Sequence, residues 1–162
     1  MRRDRAVLLS YLSAGALAAL TLFVFWAFQN FGPDSAIRKL HVVVERVNQY
    51  LPAEQPFDPR LIEPVDSYEI GELVVDPIGS PSVRWLIDGL IRPRLYAKAK
   101  YSLYATKYEG VDRATTVVLY EIPRIKGAIV YVLRKPERKP WQVDASETAK
   151  LLRDLRRPVG RF

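Results

Sequence analysis

The sequence contains no cysteine among its 162 residues, and its single histidine is His41. Without cysteine the chain forms no disulfide bond, offers no thiolate nucleophile, and cannot hold an iron–sulfur cluster or a cysteine-bound zinc ion. The phosphate-binding loop, the dinucleotide-binding glycine pattern and the serine nucleophile elbow are also missing from the sequence. These absences remove the commonest catalytic and cofactor-binding motifs, so we expect no metal ion and no other cofactor.

The sequence also has no long run of like-charged residues, although basic residues outnumber acidic ones. The chain carries 25 basic and 18 acidic residues, which gives a formal net charge of +7. Because the basic residues are dispersed, the sequence does not favour nucleic-acid binding. A basic surface beside a bilayer favours anionic lipid head groups or an acidic protein partner.

One long apolar run lies near the start of the chain. From Ala6 to Phe28 no residue is charged, and these 23 residues, as a helix rising about 1.5 Å per residue, would cross a hydrocarbon layer of roughly 30 Å. Three arginines lie within residues 1–5, and such an excess marks the cytoplasmic side. We therefore expect a single-pass anchor over residues 6–31 of a prokaryotic plasma or internal membrane, with a cytoplasmic N-terminus and the remaining residues on the other side.

A cleaved signal peptide is the alternative for this run, because Ala16-Leu17-Ala18 resembles a cleavage site. Cleavage there would leave an apolar, aromatic-rich stretch on the mature protein, which favours a retained anchor. Small residues within the run would let the anchor pack closely on another membrane helix. These residues are Ser10, Ala14, Gly15, Ala18 and Ala19.

Residues 32–155 carry helical patterns first and strand patterns second. Apolar residues at three- and four-residue spacing predict a helix from Pro33 to about Gln49, and Ser80-Pro81 predicts the start of a second helix that ends near Pro93. Between them we expect loops with a short strand pair at Tyr68–Ile70 and Leu73–Val75. A last short helix is predicted over Ala145–Leu155, capped by Asp144 or Ser146, and residues 156–162 form a basic tail.

Four β-rich segments separated by turn residues predict an antiparallel meander. These segments are Tyr101–Tyr108, Ala114–Ile122, Ala128–Arg134 and Trp141–Val143. The order of elements indicates the α+β class: a transmembrane helix, then one domain in which helices pack on a curved antiparallel sheet. We expect the apolar stripes of the two main helices, those that start at Pro33 and at Ser80-Pro81, to cover a set of strand residues. These residues are Val117, Leu119, Val130, Val132 and Trp141.

A family resemblance rests on this order and on two short stretches. The domain opens on Gly32-Pro33-Asp34-Ser35-Ala36-Ile37-Arg38, and its strands close on Trp141-Gln142-Val143-Asp144. Over roughly Gly32 to Leu152 the chain resembles the nuclear transport factor 2-like superfamily, in the form found in membrane-anchored bacterial proteins. The resemblance implies a cone-like domain. That fold hosts isomerases, hydratases, scaffolds and binding modules alike, so the resemblance bears on fold more than on function.

His41 falls on the apolar face of the first domain helix, which lines the cone in the resembled fold. It would act there as a base or a ligand-binding group, or else serve the core through a hydrogen bond to a backbone carbonyl. Tyrosines in the strands are further candidates for a binding pocket, because tyrosine combines apolar area with a hydroxyl group. The ligand-binding candidates are thus His41, Tyr101, Tyr120 and Tyr131.

Carboxylates suited to acid–base catalysis are present, but none matches a catalytic position of the resembled superfamily. They are Asp66, Glu69, Glu72, Asp76 and Asp88. We therefore assign no catalytic residue and expect a membrane-tethered, non-enzymatic interaction module, such as an accessory subunit or assembly factor of a larger membrane protein complex. The alternatives are a small-ligand binding protein that uses the cone and an enzyme acting on a small molecule.

The basic end of the chain is the candidate contact with an acidic subunit or with lipid head groups. Its cations are Arg153, Arg156, Arg157 and Arg161.

Overall fold

The computed structural model describes residues 2–52, 54–92, 100–122 and 125–156, without the side chains of residues 2–13, 28–30, 122, 125 and 156. The chain divides into two compact units, Met1–Gly32 and Pro33–Phe162.

The first unit is one helix, α1, from Arg2 to Phe31. Its described apolar side chains are exposed, and Trp26 contacts Phe23 and Phe31 at ring-centroid distances of 6.0 Å and 5.8 Å. Within the part of the chain that the structure describes, no helix is both long enough and apolar enough to cross a membrane. The anchor over residues 6–31 therefore stays a prediction from the sequence.

The second unit belongs to the α+β class, as the sequence predicts. Its helices are α2 (Pro33–Tyr50), α3 (Pro64–Leu73), α4 (Pro81–Arg84, continued by a π-helical segment over Trp85–Ile91) and α5 (Ala145–Arg156). Its strands are β1 (Lys100–Tyr108), β2 (Arg113–Ile122), β3 (Ile125–Arg134) and β4 (Gln142–Val143). They pair antiparallel in the order β1-β2-β3-β4, so β1 is an edge strand.

Two predicted helix starts are confirmed. The Ser80 hydroxyl accepts a hydrogen bond from the backbone N–H of Val83 at 3.3 Å, which caps α4 ahead of Pro81. At the start of α5 an Asp144 carboxylate oxygen accepts from the backbone N–H of Glu147 at 2.8 Å. Asp144, rather than Ser146, therefore caps α5 with its own side chain.

The predicted strand at Tyr68–Ile70 is wrong, because these residues lie in α3. Pro64 occupies a first-turn position, where its missing N–H costs nothing, and Asp66 in the same turn complements the helix dipole. Asp66 and Ile70, four residues apart, both face inward and are buried. In the second predicted strand, Leu73 ends α3, Val74 forms a parallel bridge to Val143, and the backbone N–H of Val75 donates to the Val143 carbonyl at 2.9 Å.

We expected one face of β2 and β3 to point toward the core, and the register of the sheet places the other face there. The buried face contains Ala114, Thr116 and Val118 of β2 and Ile129, Tyr131 and Leu133 of β3. Val117, Leu119 and Val130 lie on the other face and are partly or largely exposed, so their predicted core position is wrong. Both faces of these strands carry apolar residues, so alternation alone could not choose between them.

Trp141 is buried as expected, whereas Val132 is buried on the other face of the sheet, so its predicted position under the two main helices is wrong. Trp141 belongs to the main apolar cluster and meets the ring of Tyr108 edge-on at 6.1 Å. Val132 lies on the outward face of β3, where its backbone N–H donates to the Thr148 hydroxyl of α5 at 3.0 Å. Helix α5 therefore covers the outward face near β4.

Candidate binding groove between α2 and β1

An open groove of about 490 Å³ lies between α2 and the edge strand β1. Its apolar lining comes mainly from Ile37, Val42, Leu103 and Val118. Its polar lining consists of Arg38, His41, Glu45, Tyr101 and Ser102. Apolar and polar residues thus line the groove in similar numbers, and ligand-binding clefts combine apolar walls with polar groups that orient the ligand.

His41 lies against two tyrosines, Tyr101 of the groove lining and Tyr131 of the buried core. Its Nε2 atom and the Tyr131 hydroxyl share a hydrogen bond of 3.2 Å. The rings of His41 and Tyr101 meet edge-on with their centroids 4.9 Å apart. Helix α2 provides the histidine because position 41 continues its buried stripe, one residue after Leu40, at the side that faces β1. The structure thus brings together three of the four predicted ligand-binding residues.

The electrostatics of the groove keep these groups uncharged at neutral pH. Burial lowers the pKa of His41 to about 4, because the imidazolium form loses its hydration. Burial raises the pKa of Tyr131. The pKa of Tyr101 is also raised, mainly by burial and to a smaller extent by the negative charge of Glu45. A base whose pKa lies so far below 7 is poorly matched to proton transfer at neutral pH. The cluster is suited to hydrogen bonding and aromatic contact.

Tyr120, the fourth predicted residue, does not contact His41 in the described contacts. It pairs in register with Tyr101 on one side and with Gly127 on the other. A Cβ atom added at Gly127 would lie 2.3 Å from the Cζ and hydroxyl oxygen of Tyr120. The missing side chain of Gly127 is therefore what lets the Tyr120 ring lie across β3.

The carboxylates suggested by the sequence have structural roles instead of facing His41. Both Asp88 oxygens accept from the Phe57 backbone N–H, at 3.0 and 2.9 Å, and one pairs with Arg92 at 3.2 Å. Asp66 is buried and accepts from Arg46 and from the Tyr50 hydroxyl, each at 2.6 Å.

The other acidic residues of this stretch are similarly placed away from the groove lining. Glu69 pairs with Arg46 at 2.6 Å, whereas Glu72 is exposed on α3. Asp76 accepts from the backbone N–H groups of Ala145 and Ser146 and from the Ser146 hydroxyl, at the start of α5. Sequence reasoning missed Arg38 and Glu45, the charged groups of the groove, although their spacing of three and four residues from His41 places them on the same helical face.

The predicted anchor and tail residues are only partly described. Ala14, Gly15, Ala18 and Ala19 are exposed on α1, and the side chain of Ser10 lies outside the described ones. Arg153 is exposed at the end of α5, where its Nε donates to the Ala149 carbonyl at 3.3 Å. The side chain of Arg156 and the whole of Arg157 and Arg161 lie outside the described part.

A second exposed surface lies on the outward side of the sheet. We call it the outer sheet face and define it by Tyr104, Val117, Leu119, Ala128 and Val130. A bulge between Leu103 and Ala105 turns Tyr104 outward, and its side chain is 73% exposed. Along one margin a trough of about 430 Å³ separates this face from Leu151 and Leu155 of α5.

Among the residues that the structure describes, no three acidic or histidine side chains are grouped closely enough to hold a metal ion. Comparison with known proteins found no matching family model, no matching curated protein and no matching solved structure. The geometry of the groove and of the outer sheet face is therefore the basis for a functional proposal.

Proposed function

We propose that the protein is a membrane-tethered, non-enzymatic interaction module that acts as an accessory subunit or assembly factor of a larger membrane protein complex. The observation that carries this proposal is the outer sheet face. Leu119 of β2 is 37% exposed, and Tyr104, at the bulge of β1, is twice as exposed. Exposed apolar residues that adjoin one another on a sheet face mark candidate interaction sites in folded proteins.

The arrangement of layers explains why this face is available. Helices α2, α3 and α4 supply the core that covers the inward face, whereas α5 covers the outward face only near Val132. A sheet with apolar residues on both faces is stable when both are covered, and here a partner would supply the missing cover. The ion pairs Lys126–Glu121 and Arg113–Glu109 lie around this face, as expected for the polar rim of an interface.

The tether is proposed from the sequence. The uncharged run from Ala6 to Phe28 has the length and composition of a membrane span, and the small residues Ala14 and Ala18 would let it approach another membrane helix. Tethering confines the domain close to the bilayer, so even a weak contact with a membrane partner would be populated. Extraction with alkaline carbonate tests this part, because a spanning helix stays in the membrane fraction and a peripheral protein is released.

The state of His41 supports a binding role over a catalytic one. A histidine that is neutral down to about pH 4 and hydrogen-bonded to a buried tyrosine is a hydrogen-bonding group. We extend the proposal to the fold family: the domain is a nuclear transport factor 2-like domain whose core is filled by side chains such as Tyr131, while its outer surface binds.

Affinity purification of the full chain from membranes in mild detergent tests the proposal. We expect discrete membrane-protein subunits to co-purify, and Leu119→Lys to remove them because the substitution places a charge within the apolar contact. Val111→Lys is the matched control, since Val111 is 91% exposed in the turn between β1 and β2 and lies outside the outer sheet face. Retention of the same subunits by both variants would contradict the proposal.

A small-ligand binding protein is the second candidate, favoured by the groove beside His41. Its volume suits a small organic molecule, and His41, Tyr101 and Ser102 would orient polar groups of the ligand. Screening small molecules by thermal shift tests it. A ligand that stabilises the chain but not a Val42→Arg variant, in which the exposed groove residue Val42 is enlarged, would favour this candidate.

The basic end of the chain is proposed as an additional electrostatic contact with an acidic subunit or with lipid head groups. Deletion of residues 156–162 should leave the domain folded and make partner retention more sensitive to salt. Unchanged retention of every partner across a salt series would show that the tail is passive.

A further inference from the structure

Helix α3 carries an exposed apolar stripe on the side away from its buried residues. We call it the α3 stripe: Val65 and Tyr68 lie three residues apart on α3, and Leu61 precedes them in the chain before the helix begins. Val65 and Tyr68 are 53% and 70% exposed. Residues three or four apart share one helical face, so Val65 and Tyr68 lie side by side, and Glu72 continues the same face to the last turn of α3.

The surroundings of the α3 stripe are acidic, although the chain as a whole is basic. Between Asp58 and Asp76 the sequence has six acidic residues and a single basic one, Arg60. The chain as a whole has a net charge of +7. The stripe therefore lies in a region whose charge is opposite to that of the rest of the protein.

Most of these carboxylates are already used within the fold. Asp58 pairs with Arg60 at 2.8 Å, Asp66 and Glu69 share Arg46, and Asp76 accepts from the start of α5. Glu63 and Glu72 are the exceptions: both are exposed, and no described cation lies within ion-pair distance of either. Glu63 is the residue that precedes α3 and Glu72 lies in its last turn, so the two carboxylates flank Val65 and Tyr68 along the chain.

We propose that the α3 stripe binds a cationic, amphipathic segment of a partner polypeptide. The apolar side chains of that segment would cover Val65 and Tyr68, and its basic side chains would pair with Glu63 and Glu72. Charge complementarity selects this occupant, because opposite charges flanking an apolar contact steer association and fix its register. Anionic lipid head groups would be repelled by the same two carboxylates.

This contact is separate from the outer sheet face, which is formed by different elements. The proposed contact at the α3 stripe therefore does not depend on whether Leu119 contacts a partner. Val65 and Tyr68 line none of the described cavities, and exposed side chains on one helical face suit contact with another polypeptide surface.

A photo-activated cross-linker incorporated at position 68 of the full chain, in intact membranes, tests the inference. We expect a discrete adduct, and mass spectrometry of the cross-linked peptide should show a partner segment with a net positive charge. The double variant Glu63→Lys/Glu72→Lys should reduce the adduct about tenfold, since two exposed charge pairs become repulsive. Raising the salt concentration should also reduce it.

The control is Glu54→Lys/Glu137→Lys, which makes the same change in net charge at two exposed glutamates away from α3. This control variant should retain the adduct. Tryptophan fluorescence should show that both double variants are folded. Four results would overturn the inference: no adduct, an adduct with a neutral or acidic segment, equal loss in both double variants, or an adduct with a second copy of this chain.

Discussion

The Nε2 atom of His41 on α2 lies 3.2 Å from the hydroxyl oxygen of Tyr131 in the middle of β3, and the two residues are 90 positions apart in the chain. The bond ties the first helix of the domain to the centre of its sheet. Because Tyr131 is fully buried, its hydroxyl needs a partner within the protein, and His41 is one. The histidine that the sequence marks as a possible base therefore contributes to the core of the domain.

The stability of the domain should fall as the pH is lowered through the range in which unfolded histidine titrates. The pKa of His41 is about 4 in the folded protein against 6.5 for a free side chain, so the unfolded chain binds the proton more tightly. The contribution is complete above pH 6.5 and is lost progressively toward pH 4, with a loss of about 2 kcal/mol between pH 7.5 and pH 5. Denaturant unfolding in mild detergent at the two pH values measures it.

His41→Gln supplies the control for this pH dependence, because glutamine can still reach a hydroxyl group but does not titrate. The variant should show a smaller difference between pH 7.5 and pH 5. Other groups in the groove, such as Glu45, remain in both proteins and cancel in the comparison. Identical pH profiles for the two proteins would contradict the assignment.

Asp66→Ala should destabilise the domain by about 1–3 kcal/mol, because it leaves the Tyr50 hydroxyl and Arg46 without their buried acceptor. Glu69→Ala, which removes the exposed partner of the same arginine, should change stability little. Chemical denaturation of both variants checks the difference. Equal effects of the two substitutions would show that Asp66 is not the centre of this cluster.

Gly127→Ala should displace the Tyr120 ring, since the added Cβ would fall 2.3 Å from it. We expect a loss of about 1–3 kcal/mol, as for other overpacked sites. In the Tyr120→Ala background the same glycine substitution should cost much less, because the ring that it displaces is gone. Additive effects in this double-mutant cycle would argue against the close approach.

Val118→Ala and Val117→Ala form a matched pair on adjacent positions of β2. Val118 is buried under α2, whereas Val117 belongs to the outer sheet face. Removing the buried side chain should cost about 1–3 kcal/mol, and removing its neighbour should cost clearly less. The unfolding free energies of the two variants check the register, and the reverse order would mean that the faces of β2 are exchanged.

Helix positions were predictable from the sequence wherever a cap or a periodic stripe was present. Ser80 and Pro81 gave the start of α4, and the apolar stripe through Leu40 and Val44 gave the buried face of α2. Helix α3 was missed because its stripe places Tyr68 and Val65 in solvent, so no apolar periodicity marks its buried side. That side is held by Asp66, a polar residue whose burial depends on Arg46 from another helix.

The facing of the strands and the contents of the groove were harder to predict. Val117 and Val118 are equally suited to a core, and only the packing of α2 against β2 and β3 decides which is buried. His41, Tyr101 and Tyr131 were identified as candidates by residue type. Which of the tyrosines contacts His41 depends on the register of the strands. That register pairs Tyr120 with Gly127, and the Tyr120 ring lies across β3 there instead of against His41.

The central claim, that the outer sheet face binds a membrane partner, is tested most directly by a photo-activated cross-linker at position 119 of the full chain in intact membranes. The comparison position is 111, which is more exposed but lies in the turn after β1. We expect a discrete adduct with a second membrane protein from position 119 and none from position 111. Absence of an adduct from position 119, or the same adducts from both positions, would contradict the account.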